Sequence, residues 1–163
     1  MLPKYQTLYE QNQDLIGWLT IEDTVIDYPV MQTPEDENYY LKLDFNKEPN
    51  ENGCLIMDTD SIVGMGTAPS TNLIIHGHTM KSGQMFGDLD LYQDKEYGLS
   101  HATICFDSLY EKREYELIAV FYSQVYKKVM MFLSITNSSR LIQKRSLTTG
   151  IKILRQCLFM IPM

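Results

Sequence analysis

Apolar residues in this chain fall in short runs broken by polar turns, which is the pattern of successive strands rather than of long amphipathic helices. Six runs read as strands: GWLTI from Gly17, TVIDYPV from Thr24, CLIMD from Cys54, NLIIHGH from Asn72, HATICF from His101 and YELIAVFYSQV from Tyr115. The first two are joined by a tight turn at Glu22-Asp23, so they are expected to form a hairpin. Pro29 has no N–H for a ladder and is expected to place the second strand at an edge or to end it. Asn50 to Gly53 reads as a turn, as does Glu111-Lys112 between the last two strands. Helices are few: KYQTLYEQNQD from Lys4, with Leu8 and the tyrosines as its apolar positions, a short one in ENYYLKLDF from Glu37, and another closing TMKSGQMFGDLDLYQD from Thr79. The stretch SIVGMGTAPS from Ser61 is loop. Many short strands and few helices fit an antiparallel or mixed β-barrel better than a βαβ sheet.

With 163 residues, 44% of them apolar, there is material for one domain with a sizeable core. A formal net charge of −7 argues against nucleic-acid binding, which needs clustered Lys and Arg. No run of apolar residues is long enough to span a bilayer, and the polar opening MLPKYQTLYEQNQD is not that of a signal peptide. The three cysteines, Cys54, Cys105 and Cys157, are too widely spaced for a disulfide framework or a CxxC zinc site.

The average charge conceals a break. Residues 1–128 hold all 21 acidic residues and nine basic ones, a net −12, together with all 11 tyrosines and Trp18. Residues 129–163 hold no Asp, Glu, Tyr or Trp, and five basic residues: Arg140, Lys144, Arg145, Lys152 and Arg155. Such a shift marks a domain boundary, a basic tail or a frame error. The genetic code favours the last. Read one base earlier, the codons of Met130, Met131 and Phe132 force Asp-Val, and those of Met160 and Ile161 force Asp. With permitted synonymous codons the other frame is acidic and aromatic, as the preceding residues are. The expected organisation is a domain over 1–128 and an out-of-frame tail over 129–163, without native-like packing.

Candidate chemistry concentrates on the histidines. His76 and His78 stand two apart in IIHGHTM, so on a strand they share a face and could ligate one metal. A third ligand has no obvious source, since His101 is remote in sequence and no second His or Cys pair is present. No metal is therefore expected, and His76 reads as a surface or satisfied core residue. His78 follows a glycine at the end of a buried strand and precedes a polar loop, a common place for a catalytic group. Cys54 and Cys105 sit within apolar runs and read as buried thiols behaving as small hydrophobes. No phosphate-cradling glycine motif occurs, and no cofactor is expected.

Three stretches together carry a specific resemblance. LYEQNQDLIGWLTIEDTVIDYPVMQ, ENYYLKLDFNKEPNENGCLIMDTD and TNLIIHGHTMKSGQMFGDLDLY resemble the class B sortases, cysteine transpeptidases of Gram-positive cell surfaces, from about Leu8 to about Val125. The resemblance implies a mainly β fold, a sortase-like β-barrel with short helices, incomplete here at the C-terminus. It implies cleavage of a sorting signal of the Asn-Pro-x-Thr or Pro-x-Thr-Gly kind after threonine, through a thioacyl intermediate on cysteine. The acyl group then passes to an amine of the cell-wall peptide. The family's catalytic histidine corresponds to His78; His76 falls where the family has an aromatic or aliphatic residue. Tyr40 and Leu41 correspond to the wall of the sorting-signal groove. The implied partners are the sorting-signal peptide of surface proteins and a peptidoglycan precursor amine. The implied place is the extracellular face of the cell membrane, held by an anchor that these residues do not include.

Two departures follow. No Thr-Leu-x-Thr-Cys strand is present, and Cys157 follows Leu-Arg-Gln, so the nucleophile's role does not pass to it. No closing strand of the Arg-x-Val-Val kind is present, so Arg155 does not inherit the oxyanion role. The chain is expected to be an inactive sortase by descent. The alternatives are a remnant that binds a sorting signal without cleaving it, and a metal-binding protein using His76 and His78.

Overall fold

The computed structural model describes residues 1–64, 70 and 72–120 with their side chains, and the backbone of 121–124 and 154–162. The chain forms helix α1 (Pro3–Gln11), strands β1 (Leu15–Thr20), β2 (Asp27–Met31), β3 (Leu55–Met57) and β4 (Ile75–His76), helix α2 (Lys95–Ser100), and strands β5 (Thr103–Ser108), β6 (Glu114–Gln124) and β7 (Leu154–Pro162). The described residues also include two 3₁₀ turns, Tyr39–Lys42 and Gly87–Gln93. The seven strands among the described residues join one curled sheet in the order β4-β3-β2-β1-β5-β6-β7, an open half-barrel. The sheet is mixed: β2 and β3 run parallel, and the other neighbours antiparallel. The mainly β expectation is thus met.

The β1–β2 hairpin forms as expected, with Trp18 opposite Pro29 and Asp23 in the left-handed region at φ 59°. Pro29, however, neither ends β2 nor places it at an edge. β2 lies between β1 and β3, and β3 joins it only from Val30 onward, one residue past the proline. The missing N–H therefore falls where β3 has not yet begun to pair.

Other boundaries shift for local reasons. Pro3 takes the first turn of α1, where its lack of an N–H is harmless, and the helix stops at Asn12, whose backbone is extended. The segment from Glu37 makes a single 3₁₀ turn, not a longer helix. The run from Asn72 pairs as a strand only at Ile75 and His76. Helix α2 is an addition to the sequence reading, capped by Asp94, whose carboxylate accepts from the Tyr97 N–H at 2.8 Å. β7 falls in the segment for which no native-like packing is expected; its backbone pairs antiparallel along β6, with Cys157 opposite Phe121. The rest of the 129–163 expectation lies outside the described residues.

Two apolar clusters hold the sheet. One, inside the curl, contains Leu19, Ile26, Val30, Leu55, Met57, Phe86, Leu89, Ile104 and Phe106. The other, under α1, contains Tyr5, Leu15, Met31, Tyr40, Cys54, Ile56 and Leu109. β3 alternates between them and is buried on both faces, which is why it reads as an unbroken apolar run. Leu15 and Leu19 have the same strand parity yet pack in different clusters; the register slips between Leu15 and Gly17.

Candidate functional site

The site is built at the end of β4. Gly77 follows the last paired residue, and a Cβ there would lie 2.5 Å from Leu55 Cδ2 and 2.7 Å from Phe86 Cδ2. Glycine alone lets the chain pass so close to the core, and His78 emerges directly after it. The backbone of His78 is fixed from the far side of the loop, where Phe86 N–H donates to His78 O at 2.9 Å and Thr79 bridges to Met85. A half-buried imidazole thus sits on a rigid strand end.

Its ring is held by a backbone atom. His78 Nε2 lies 2.7 Å from the carbonyl oxygen of Leu41, in the 3₁₀ turn. A carbonyl only accepts, so Nε2 carries the proton of this hydrogen bond and Nδ1 is the basic nitrogen of the neutral ring. The structure thereby brings together two of the residues singled out in the sequence, His78 and Leu41. Tyr40, singled out with them, lies on the other side of the turn. It has no exposed surface, and its hydroxyl donates to Asp14 Oδ2 at 2.7 Å while accepting from Asn12 Nδ2 at 2.8 Å. Burial first, and then the Asp14 carboxylate, hold the Tyr40 hydroxyl protonated well beyond its usual range. Tyr40 fastens the turn to the segment after α1; Leu41 is the member of the pair that stays half-buried beside His78.

The remaining candidates are placed apart in function. His76 Nε2 faces Asp58 Oδ2 at 3.4 Å, while His78 is turned to Leu41, so the two histidines serve different partners. His101 stacks on Tyr97 with ring centroids 4.0 Å apart and pairs through Nδ1 with Tyr97 O at 2.8 Å, at the end of α2. Cys54 is buried, and burial, reinforced by the Asp44 carboxylate, pushes its thiol up to about 11. Cys105 departs from the fully buried reading: on β5 it alternates with the inward Ile104 and Phe106 and is half-buried on the opposite face. Its thiol is also pushed up, by burial and then by Glu114, Asp107 and Glu22. Neither thiol has the lowered pKa of a nucleophile. The side chains of Cys157 and Arg155 lie outside the described residues.

The backbone part of the site leaves no mark in the pattern of residue types. The Leu41 carbonyl has no residue-type signature, and Gly53, which packs against it, signalled only a turn. That glycine at the end of ENG was the one available clue, because a glycine closing a turn before a buried strand marks close backbone approach.

No family model matches the chain. Among curated proteins, sortase B of Listeria monocytogenes serovar 1/2a (strain ATCC BAA-679 / EGD-e) is 38% identical over 117 residues, covering 70% of this chain and 45% of that protein. The chain spans about half the length of the curated relatives it matches. The solved structure of sortase B from L. monocytogenes is 36% identical, with a TM-score of 0.64, and the match covers 77% of this chain and 68% of that one. Sortase B from B. anthracis, in complex with AAEK1, has a TM-score of 0.76 at 27% identity, covering 98% of this chain and 83% of that one.

Proposed function

The chain belongs to the sortase B family, and from that premise we propose that residues 1–128 carry the acid–base half of a cell-wall-sorting transpeptidase, with His78 as its catalytic histidine. The observation that carries the reading is the ring of His78 at the end of β4, oriented through Nε2 by the Leu41 carbonyl so that, among the described residues, Nδ1 is left as the basic nitrogen. In the reaction proposed for the parent enzyme, a cysteine thiolate attacks the threonine carbonyl of a sorting signal. The imidazolium then protonates the departing amine, and a peptidoglycan amine later takes the acyl group from sulfur. His78 is suited to the proton transfers because its ring is fixed while one nitrogen stays available. Leu41 would border the peptide. Tyr40 would act from behind by fastening the turn.

Neither thiol among the described side chains is suited to the attack. Cys54 and Cys105 are kept protonated by burial and neighbouring carboxylates, and Cys157 does not follow Thr-Leu-x-Thr. We therefore read the chain as inactive in transpeptidation, with residues 129–163 out of frame. The parent's place would be the outer face of the membrane, where sorting signals and peptidoglycan precursors meet. Incubation of the full chain with a fluorogenic Asn-Pro-x-Thr peptide and triglycine tests this. No cleavage above the buffer rate is expected. Thiol-dependent turnover that survives Cys157→Ala would implicate Cys54 or Cys105 and overturn the assignment.

A further inference from the structure

We propose that Gly53 is the positioning residue that sets the tautomer of His78, acting through the Leu41 carbonyl. This rests on the reading of His78 as the acid–base group and adds how the fold prepares it.

Three consecutive carbonyls leave the 3₁₀ turn, and each has a different donor. Tyr40 O accepts from Cys54 N–H at 3.0 Å and Lys42 O from Asn50 N–H at 2.9 Å, so both are tied to the 50–54 turn. Leu41 O, between them, is served by His78 Nε2 at 2.7 Å. A half-buried carbonyl without a donor is costly, so this oxygen holds the proton on Nε2 and leaves Nδ1 free. Gly53 is what allows the arrangement. Its φ is +60°, and a Cβ on it would lie 2.5 Å from Leu41 O, 2.7 Å from Tyr40 O and 2.9 Å from Leu41 C. Those contacts are with backbone that two hydrogen bonds already fix, so a side chain at 53 has to displace the very oxygen that orients His78. The turn is held from its other side by Tyr40, whose hydroxyl engages Asn12 and Asp14. Glycine at 53 and tyrosine at 40 thus clamp one carbonyl onto one ring nitrogen.

The experiment is two-bond ¹H–¹⁵N correlation spectroscopy on the full chain labelled at histidine. The chain has three histidines, so His76 and His101 report in the same spectrum that the fold is intact. In the unsubstituted chain at a pH where the ring is neutral, His78 is expected in the Nε2–H form. Gly53→Ala is expected to shift its tautomer ratio away from that form by about fivefold, the effect of losing one ordinary hydrogen bond. His76 and His101 are expected to stay as they were. Gly53→Asn, which tolerates positive φ better but still carries a Cβ, is expected to give the same shift, separating contact from backbone strain. A native spectrum for His76 and His101 with His78 unmoved in either variant overturns the proposal. So does an Nδ1–H ring in the unsubstituted chain, which needs no variant to fold. The readout requires no turnover, so a tautomer that responds to position 53 in a protein whose His78 plays no part in catalysis refutes the function and leaves this inference standing.

Discussion

Removing one oxygen from Tyr40 tests whether the turn under His78 is held as described. In Tyr40→Phe the ring keeps its fully buried place, and only the hydroxyl is lost. Two hydrogen bonds go with it. Asn12 keeps its bond from Nδ2 to Phe45 O at 2.7 Å, but Asn12 is itself only 4% exposed, so its second N–H is left in the core without a partner. That orphaned donor costs about 1–2 kcal/mol. Asp14 loses less, because its carboxylate is 28% exposed and still pairs with Lys47 at 3.0 Å; water replaces the hydroxyl there. The sum is about 2 kcal/mol, and about 8 °C in the thermal midpoint of a domain of this size. Urea unfolding followed through Trp18 measures it, and a double-mutant cycle with Asn12→Ala isolates the shared bond, with an expected coupling of about 1 kcal/mol. A loss below about 0.5 kcal/mol with additive single effects would refute the claim that this hydroxyl fastens the segment after α1 to the 3₁₀ turn.

Two further predictions concern the sheet and its thiol. A Cβ at Gly17 would lie 2.5 Å from Asp107 O and 2.6 Å from the Phe106 ring, so Gly17→Ala is expected to destabilise by about 2 kcal/mol or more through forced separation of β1 from β5; an unchanged urea midpoint would contradict that close approach. The raised thiol of Cys54, at about 11 against an ordinary 9, favours the protonated form in the folded chain. Its contribution is therefore fully present below about pH 9, and it falls as pH rises from there toward 11, because the unfolded chain ionises first. The urea midpoint should drop between pH 8 and pH 10.5 by more in the unsubstituted chain than in Cys54→Ala, and equal drops would remove burial of the thiol as the cause.

How much of this was readable in the residues depends on where the determining physics lies. β3 was legible because burial on both faces leaves an unbroken apolar run; ATICF on β5 reads the same way although only one of its faces is buried, which is why Cys105 proves half-buried. The turn at Glu111-Lys112 was legible from its polar pair, and Ser108 N–H does donate to Glu111 O across it at 2.8 Å. β4 was overdrawn because apolar character persists through Leu73 and Ile74 while pairing with β3 stops at Ile75. Pro29 misled because a proline rule about edges says nothing of where a neighbouring strand begins. His78 was legible as a residue, from its glycine and its strand end. Its orientation was not, because that is set by a main-chain oxygen supplied 37 residues earlier. Tyr40 pairs with Leu41 in sequence, yet the turn sends the two side chains to different surroundings, which no pattern of residue types records.

We propose that residues 1–128 come from a sortase B gene whose remaining catalytic strands are written in another frame. The most direct measurement is the nucleotide sequence of the gene from the codon of Tyr126 to well past that of Met163. The frame one base earlier is expected to continue in acidic, aromatic sequence and to reach a Thr-Leu-x-Thr-Cys strand followed by an Arg-x-Val-Val strand. An expressed gene in which the present frame is intact, and the other frame closes without those strands, would contradict it.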